Sequence, residues 1–158
     1  VYMNILDVLD VNLIDLHLSA TSKDSAIHEL ADLLDSNGRL HDKAKFIESV
    51  YERESVGETG MGNSIAIPHG LTDAVKNASV AIGKVSSPIE WESIDDQPVK
   101  LVFMLAVPTD NLQNTHLKIL SQLAAVLAYE EHIKALLDCK SKEEFFELFK
   151  SYYEARLK

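Results

Sequence analysis

A chain of 158 residues, 46% hydrophobic and 25% charged, has the size and balance of one soluble globular domain with a proper core. Its 15 Lys and Arg against 25 Asp and Glu leave a formal charge of −10, which argues against nucleic acid and anionic lipid as partners and is compatible with a basic or mixed-charge protein. No apolar run suggests membrane insertion, residues 1–7 lack the basic start and apolar stretch of a signal peptide, and the single cysteine, Cys139, excludes an intrachain disulfide and fits a reducing, cytoplasmic setting.

Residues 12–18 mix Leu13, Ile14, Leu16 and Leu18 with polar residues and predict a short strand. Thr21 or Ser22 then caps a helix with Ala26, Ile27, Leu30, Leu33 and Leu34 on one face, and Gly38 stands just past its end. Asp42 caps a second helix whose buried stripe is Phe46, Ile47, Val50 and Tyr51; it runs out at residues 53–55. A glycine-rich run follows, Gly57-Glu58-Thr59-Gly60-Met61-Gly62, and leads into a strand over residues 64–67. Further strands are predicted over 78–85, with Val80 and Ile82 sharing a face, and over 101–107. The last is nearly all apolar, as a central strand covered on both faces would be. Leu117, Leu120, Leu123, Ala124 and Leu127, then Ile133, Leu136 and Leu137, recur at helical spacing. Ser141-Lys142-Glu143-Glu144 reads as a capping box opening a last helix through Phe145, Leu148, Phe149 and Tyr152. This order predicts an α/β fold, a mixed sheet of about four to five strands sandwiched between helices. A single domain over 1–158, with its core at roughly 4–150, is expected, since no linker or repeat interrupts it.

Six histidines are the main chemical candidates. None makes an H-E-x-x-H motif and there is no C-x-x-C pair, so no dedicated metal site is expected. Cys139 has Lys140 and Lys142 nearby but no nucleophile motif around it. His28, His41 and His132 sit among charged residues and are expected to be solvated, while His17, between Leu16 and Leu18, should point away from the main core. His69 differs, because Ile65-Ala66-Ile67-Pro68-His69-Gly70 stops an apolar run at a proline and presents an imidazole at the strand's lip. His116 opens the helix that follows the strand ending at Val107. In open α/β sheets ligands gather beyond the carboxyl ends of strands, so the two imidazoles could converge there. The residues alone favour the plainer alternative, in which His69 simply hydrogen-bonds a turn. The glycine run is neither a P-loop nor G-x-G-x-x-G and is weak by itself; Arg53 beside it suits phosphate through its planar fork.

Taken together, residues 53–70, from Arg53-Glu54-Ser55-Val56 through the glycine run to Pro68-His69-Gly70, resemble the active-site signature of the fructose/mannitol (type 2) enzyme IIA domains of the bacterial sugar phosphotransferase system. The likeness extends through Pro88 to Trp91, Asp95-Asp96, Val99 to Pro108, His116-Leu117 and the Lys142 to Phe149 tail, and so covers essentially the whole chain. It departs from the usual loop at Glu58, where serine is common, at Met61, where isoleucine is common, and at Ser64, where glycine is usual.

The resemblance implies a phosphotransferase in which His69 accepts a phosphoryl group from phospho-HPr and passes it to a cysteine on a cognate enzyme IIB. Arg53 and His116 would neutralise the phosphoryl oxygens, with Thr59, Gly60 and Gly62 forming the phosphate-binding loop. No cofactor and no metal are implied. The segment from Pro88 to Pro108 favours a fructose-type transporter. A regulatory nitrogen-type enzyme IIA, acting through phosphorylation-dependent protein binding, is the alternative, and a non-catalytic binding module is disfavoured by the intact histidine signature.

Overall fold

Capping side chains set where the helices begin. The computed structural model describes residues 4–109 and 115–156. In α1 (Ile5–Val8), Asn4 accepts from the Leu6 N–H while Asp7 accepts from the Asn4 N–H. Ser22 caps α2 (Lys23–Ser36) by accepting from Ser25 N, and Asp42 caps α3 (Lys43–Glu54) by accepting from Lys45 N. Gly38, at φ +73°, makes the turn after α2.

β1 (Ile14–Leu18) follows a short 3-10 turn at Val11–Leu13. After α3 come β2 (Gly60–Gly62), β3 (Ile65–Ala66) and β4 (His69–Leu71), then the two long strands β5 (Ser79–Ile89) and β6 (Val99–Val107). The expected mixed sheet between helices therefore forms. Among the described residues it has six strands, because the glycine run itself makes one and Pro68 divides the histidine strand into two short pieces. The path is β1-β5-β6-β3-β2, with β4 also on β6. β5 and β6 are antiparallel, whereas β1 joins β5, and β3 and β4 join β6, in parallel. Proline lacks the N–H that would carry the ladder past residue 68, but its carbonyl still accepts from Leu105 N at 3.0 Å. His69 consequently opens β4, opposite Leu105 near the carboxyl end of β6.

Two apolar layers cover the sheet. One, on the side of α2 and α3, gathers Ile27, Leu30, Phe46, Val50, Val102 and Met104. The other joins Ile82, Phe103 and Leu105 to α4 (Thr115–Leu127), α5 (Glu130–Leu137) and α6 (Lys142–Ala155). Phe103 meets both Phe145 and Phe149 at ring separations of 6.3 and 6.2 Å. Completely buried Phe103 on one face and Val102 on the other explain the unbroken apolar run of β6: each face of that strand has a helical layer on it.

Three details differ from the sequence reading. On α4 the buried positions are Ile119, Leu123, Val126 and Leu127, while Leu117 and Ala124 are exposed. The Ser141 cap does form, but Glu144 accepts from Lys140 N rather than closing a box onto Ser141. His132 is half-buried rather than solvated. Its ring stacks on Tyr152 at 3.8 Å, lies 4.9 Å from Tyr129, and pairs through Nδ1 with the Val126 carbonyl.

Candidate functional site

His69 gets its orientation from alternation along β4. Gly70 faces α3, where an added Cβ would come within 2.8 Å of Phe46 and 3.3 Å of Val50. His69 and Leu71 therefore take the opposite face, and Leu71 packs into the layer that holds α4. The His69 Nδ1 lies 3.2 Å from the Ile67 carbonyl. A carbonyl can only accept, so Nδ1 carries the hydrogen and the Nε2 lone pair is left to react.

Burial is the largest influence on this ring and favours its neutral form. The Ile67 hydrogen bond opposes that, Arg53 and His116 add to it, and Glu54 opposes it; the net pKa lies below the ordinary imidazole value. The structure thus brings Arg53, from the last turn of α3, and His116, the second residue of α4, within electrostatic reach of His69. Arg53 Nη1 donates to the Gly57 carbonyl at 3.1 Å, tying the helix end to the start of the glycine loop. The Nδ1 of His116 is buried without a hydrogen-bond partner among the described residues.

The glycine loop is built differently from an open anion nest. Gly60 N donates to the Glu92 carbonyl at 3.0 Å, and Gly62 N to Ser93 Oγ at 3.2 Å. Those two N–H groups are committed to the 92–95 segment, which the sequence reading did not connect to the loop. A Cβ on Gly60 would sit 2.5 Å from Ser93 Cβ and 2.6 Å from the Glu92 carbonyl oxygen, so only glycine allows this approach. Thr59 is buried; its hydroxyl accepts from Trp91 Nε1 at 2.9 Å and its carbonyl accepts from Ile67 N at 2.9 Å. Asp95 completes the clamp by accepting from Asn63 N, Ser93 Oγ and Gln97 N. Glu58 is exposed. Between β2 and β3, Gly62, Asn63 and Ser64 all have positive φ (85°, 55° and 71°), which gives a physical reason why glycine suits position 64.

Glu54, next to Arg53, is another residue that the sequence did not single out. Its side chain is only 6% exposed, and Lys23 Nζ lies 2.7 Å from Oε1. The same ammonium lies 2.7 Å from Glu92 and 5.4 Å from the centre of the Trp91 ring. Burial alone would disfavour the Lys23 charge; the two carboxylates more than offset this and raise its pKa. The signal the sequence offered was its place at four-residue spacing after Phe46 and Val50 on α3.

No group of three or more metal-ligating side chains occurs among the described residues. No helix among them is long and apolar enough to cross a membrane. Cys139 is buried, and burial pushes its thiol pKa up, away from a reactive thiolate.

A single α/β layer structure that carries one oriented imidazole between two basic side chains is an architecture suited to holding an anion on a side chain. Residues 7–152 match the sequence pattern of the phosphoenolpyruvate-dependent sugar phosphotransferase system, EIIA 2. The chain is 37% identical over 150 residues to the fructose-specific EIIABC component of Bacillus subtilis (strain 168), covering 95% of this chain and 24% of that protein. Against the fructose-specific EIIA component of Haloferax volcanii the identity is 37% over 144 residues, covering 87% of this chain and 93% of that one. The crystal structure of the nitrogen regulatory protein IIA-Ntr from Neisseria meningitidis superposes with a TM-score of 0.83 at 32% identity, covering 92% of this chain and 98% of that one. The chain belongs to the type 2 EIIA family of the sugar phosphotransferase system, a family of phosphotransferase components. It spans about a quarter of the length of the Bacillus protein.

Proposed function

We propose that His69 is the phosphoryl carrier, accepting from phospho-HPr and donating to a cysteine of a cognate enzyme IIB, in a fructose-type transporter. The observation that carries this reading is the His69 ring itself: Nδ1 held on the Ile67 carbonyl, with Arg53 and His116 acting on it from two different layers. The Nε2 lone pair attacks phosphorus, and the donor's N–P bond breaks with its electron pair returning to the donor ring. In the onward step the IIB thiolate attacks, an S–P bond forms, and the N–P pair returns to Nε2. Such transfer depends on in-line placement and on neutralising the equatorial oxygens, tasks that Arg53 and His116 suit. His116 lies in the first turn of α4, where the helix dipole also favours an anion. Thr59, Gly60 and Gly62 serve the phosphate by fixing the loop beside it, since the Gly60 and Gly62 amides are engaged with residues 92 and 93.

Exposed apolar side chains support docking of protein partners. Leu117 is 54% exposed beside His116, Val56 is 80% exposed beside the Arg53 helix end, and Ile94 is 69% exposed against the glycine loop. The relay would operate in the cytoplasm, where HPr and IIB domains meet it. The fructose-specific names of two relatives favour the transporter reading. The likeness to the nitrogen regulatory protein supports the second reading, control of a bound protein by phosphorylation state. Mixing the phosphorylated protein with a fructose-type IIB separates them. Rapid appearance of phosphocysteine supports the transporter role, while a stable phosphoprotein that transfers to no IIB supports the regulatory one.

A further inference from the structure

Arg53 and His116 answer the negative charge of a phosphoryl group, but neither answers the charge that develops on the imidazole. When Nε2 bonds phosphorus while Nδ1 keeps its hydrogen on the Ile67 carbonyl, the ring becomes a phosphoimidazolium carrying one positive charge. No proton moves in that step, and the charge vanishes when the N–P pair returns to Nε2.

One buried side chain is placed to meet this need. Phe46, Val50 and Glu54 follow one another at four-residue intervals along α3, so they form a single row. The first two press on Gly70 of β4, and Glu54 ends the row. Its carboxylate is almost wholly covered, and neither oxygen has an aligned hydrogen-bond donor among the described residues. Its counter-ion is Lys23, itself held by Glu92 and lying over Trp91. A carboxylate so thoroughly desolvated interacts with nearby charge far more strongly than one in water.

We propose that Glu54 is a positioning residue for phosphoryl transfer, resting on the role given to His69 above: its buried carboxylate stabilises the positive charge that develops on the ring as Nε2 bonds phosphorus, and so favours loading and holds the phosphorylated state. The role resembles that of the carboxylate behind a catalytic histidine, which stabilises an imidazolium without taking its proton, but here Nδ1 is held by the Ile67 carbonyl and Glu54 acts through its charge alone. Of the three charged groups acting on His69, Arg53 and His116 disfavour a positive ring and Glu54 alone favours it. Lys23 lies 2.7 Å from Glu54 Oε1 and holds the carboxylate in place, so that the pair is a built part of the site.

The test is Glu54→Gln, which keeps the shape and removes the charge. In the unphosphorylated protein, NMR titration of the His69 ring should show its midpoint moved to lower pH. Single-turnover loading from phospho-HPr should slow by about tenfold per unit of that movement. Glu54→Asp, which restores a carboxylate, should recover most of both. If the single variant folds poorly, the double variant Lys23→Met, Glu54→Gln removes both members of the buried pair and should move the midpoint in the same direction, by less, because the counter-charge goes too. A folded variant with an unmoved midpoint and wild-type loading rate would overturn the assignment of Glu54. Failure of the wild-type protein to take phosphate on His69 would instead overturn the carrier role, and the titration would still report whether Glu54 acts on that ring.

Discussion

Trp91 Nε1 donates to the Thr59 hydroxyl at 2.9 Å, with both residues buried, so the indole of one segment holds the glycine loop of another. Thr59 in turn accepts from Ile67 N, two residues before His69. Replacing Trp91 with Phe should retain most of the packing and remove that donor. We expect a loss of roughly 1–3 kcal/mol, the cost of leaving a buried polar group unsatisfied. Denaturant unfolding measures the loss, and Thr59→Val together with Trp91→Phe should recover part of it because both polar partners are then absent.

Ser64 sits at φ +71°, in a region where a Cβ is strained. Ser64→Gly should stabilise the protein by about 1 kcal/mol, since relief of left-handed strain exceeds the added freedom of the unfolded chain. The unfolding midpoint in urea should rise with an unchanged slope. An unchanged or lowered midpoint would show that the turn tolerates serine without cost.

His69 has a pKa lowered by burial first, then by Arg53 and His116. The sign of its effect on stability follows. Above the ordinary imidazole value of 6.5 the ring is neutral in both folded and unfolded chains, and its full contribution is present. As pH falls below that value the unfolded chain takes up a proton that the native ring resists, and stability declines until the folded pKa is passed. Loading of His69 should therefore be flat above pH 6.5 and persist below it, further than for a free imidazole. A pH–rate profile, beside stability curves of the wild type and His69→Gln, checks both statements; the variant should lose that part of the acid slope.

Arg53→Lys keeps a charge but removes the planar fork, and His116→Ala removes the second basic group. Each should slow loading by roughly 10²–10³-fold, the range seen when one preorganised donor is deleted. Thermal midpoints should move little, because neither side chain belongs to either apolar layer. Rapid-quench transfer beside a melting curve makes the comparison, and equal slowing and destabilisation would point to a structural role instead.

The layers were legible because their signals are local. Ser22 and Asp42 announced two helices, and the apolar run of β6 announced a central strand. His69, His116 and Arg53 stood out through the long gapped signature, and in the fold both Arg53 and His116 act on the charge of the His69 ring. What escaped depended on contacts between distant segments. The sequence does not say that residues 91–95 lie against the glycine loop, so the Gly60 and Gly62 amides looked free when Glu92 and Ser93 occupy them. His132 looked solvated by its charged neighbours, yet Tyr152 of α6 comes from a different helix to stack on it. Glu54 was not singled out because its counter-ion, Lys23, stands thirty-one positions earlier.

The central claim is that one imidazole, His69, carries the phosphoryl group. Its most direct test is intact-mass measurement after incubation with phospho-HPr, followed by mapping of the acid-labile phosphate. One phosphate on the wild-type chain, mapped to His69 and absent from a folded His69→Ala variant, is the predicted result. A His69→Ala variant that takes up phosphate at the wild-type rate would contradict the account.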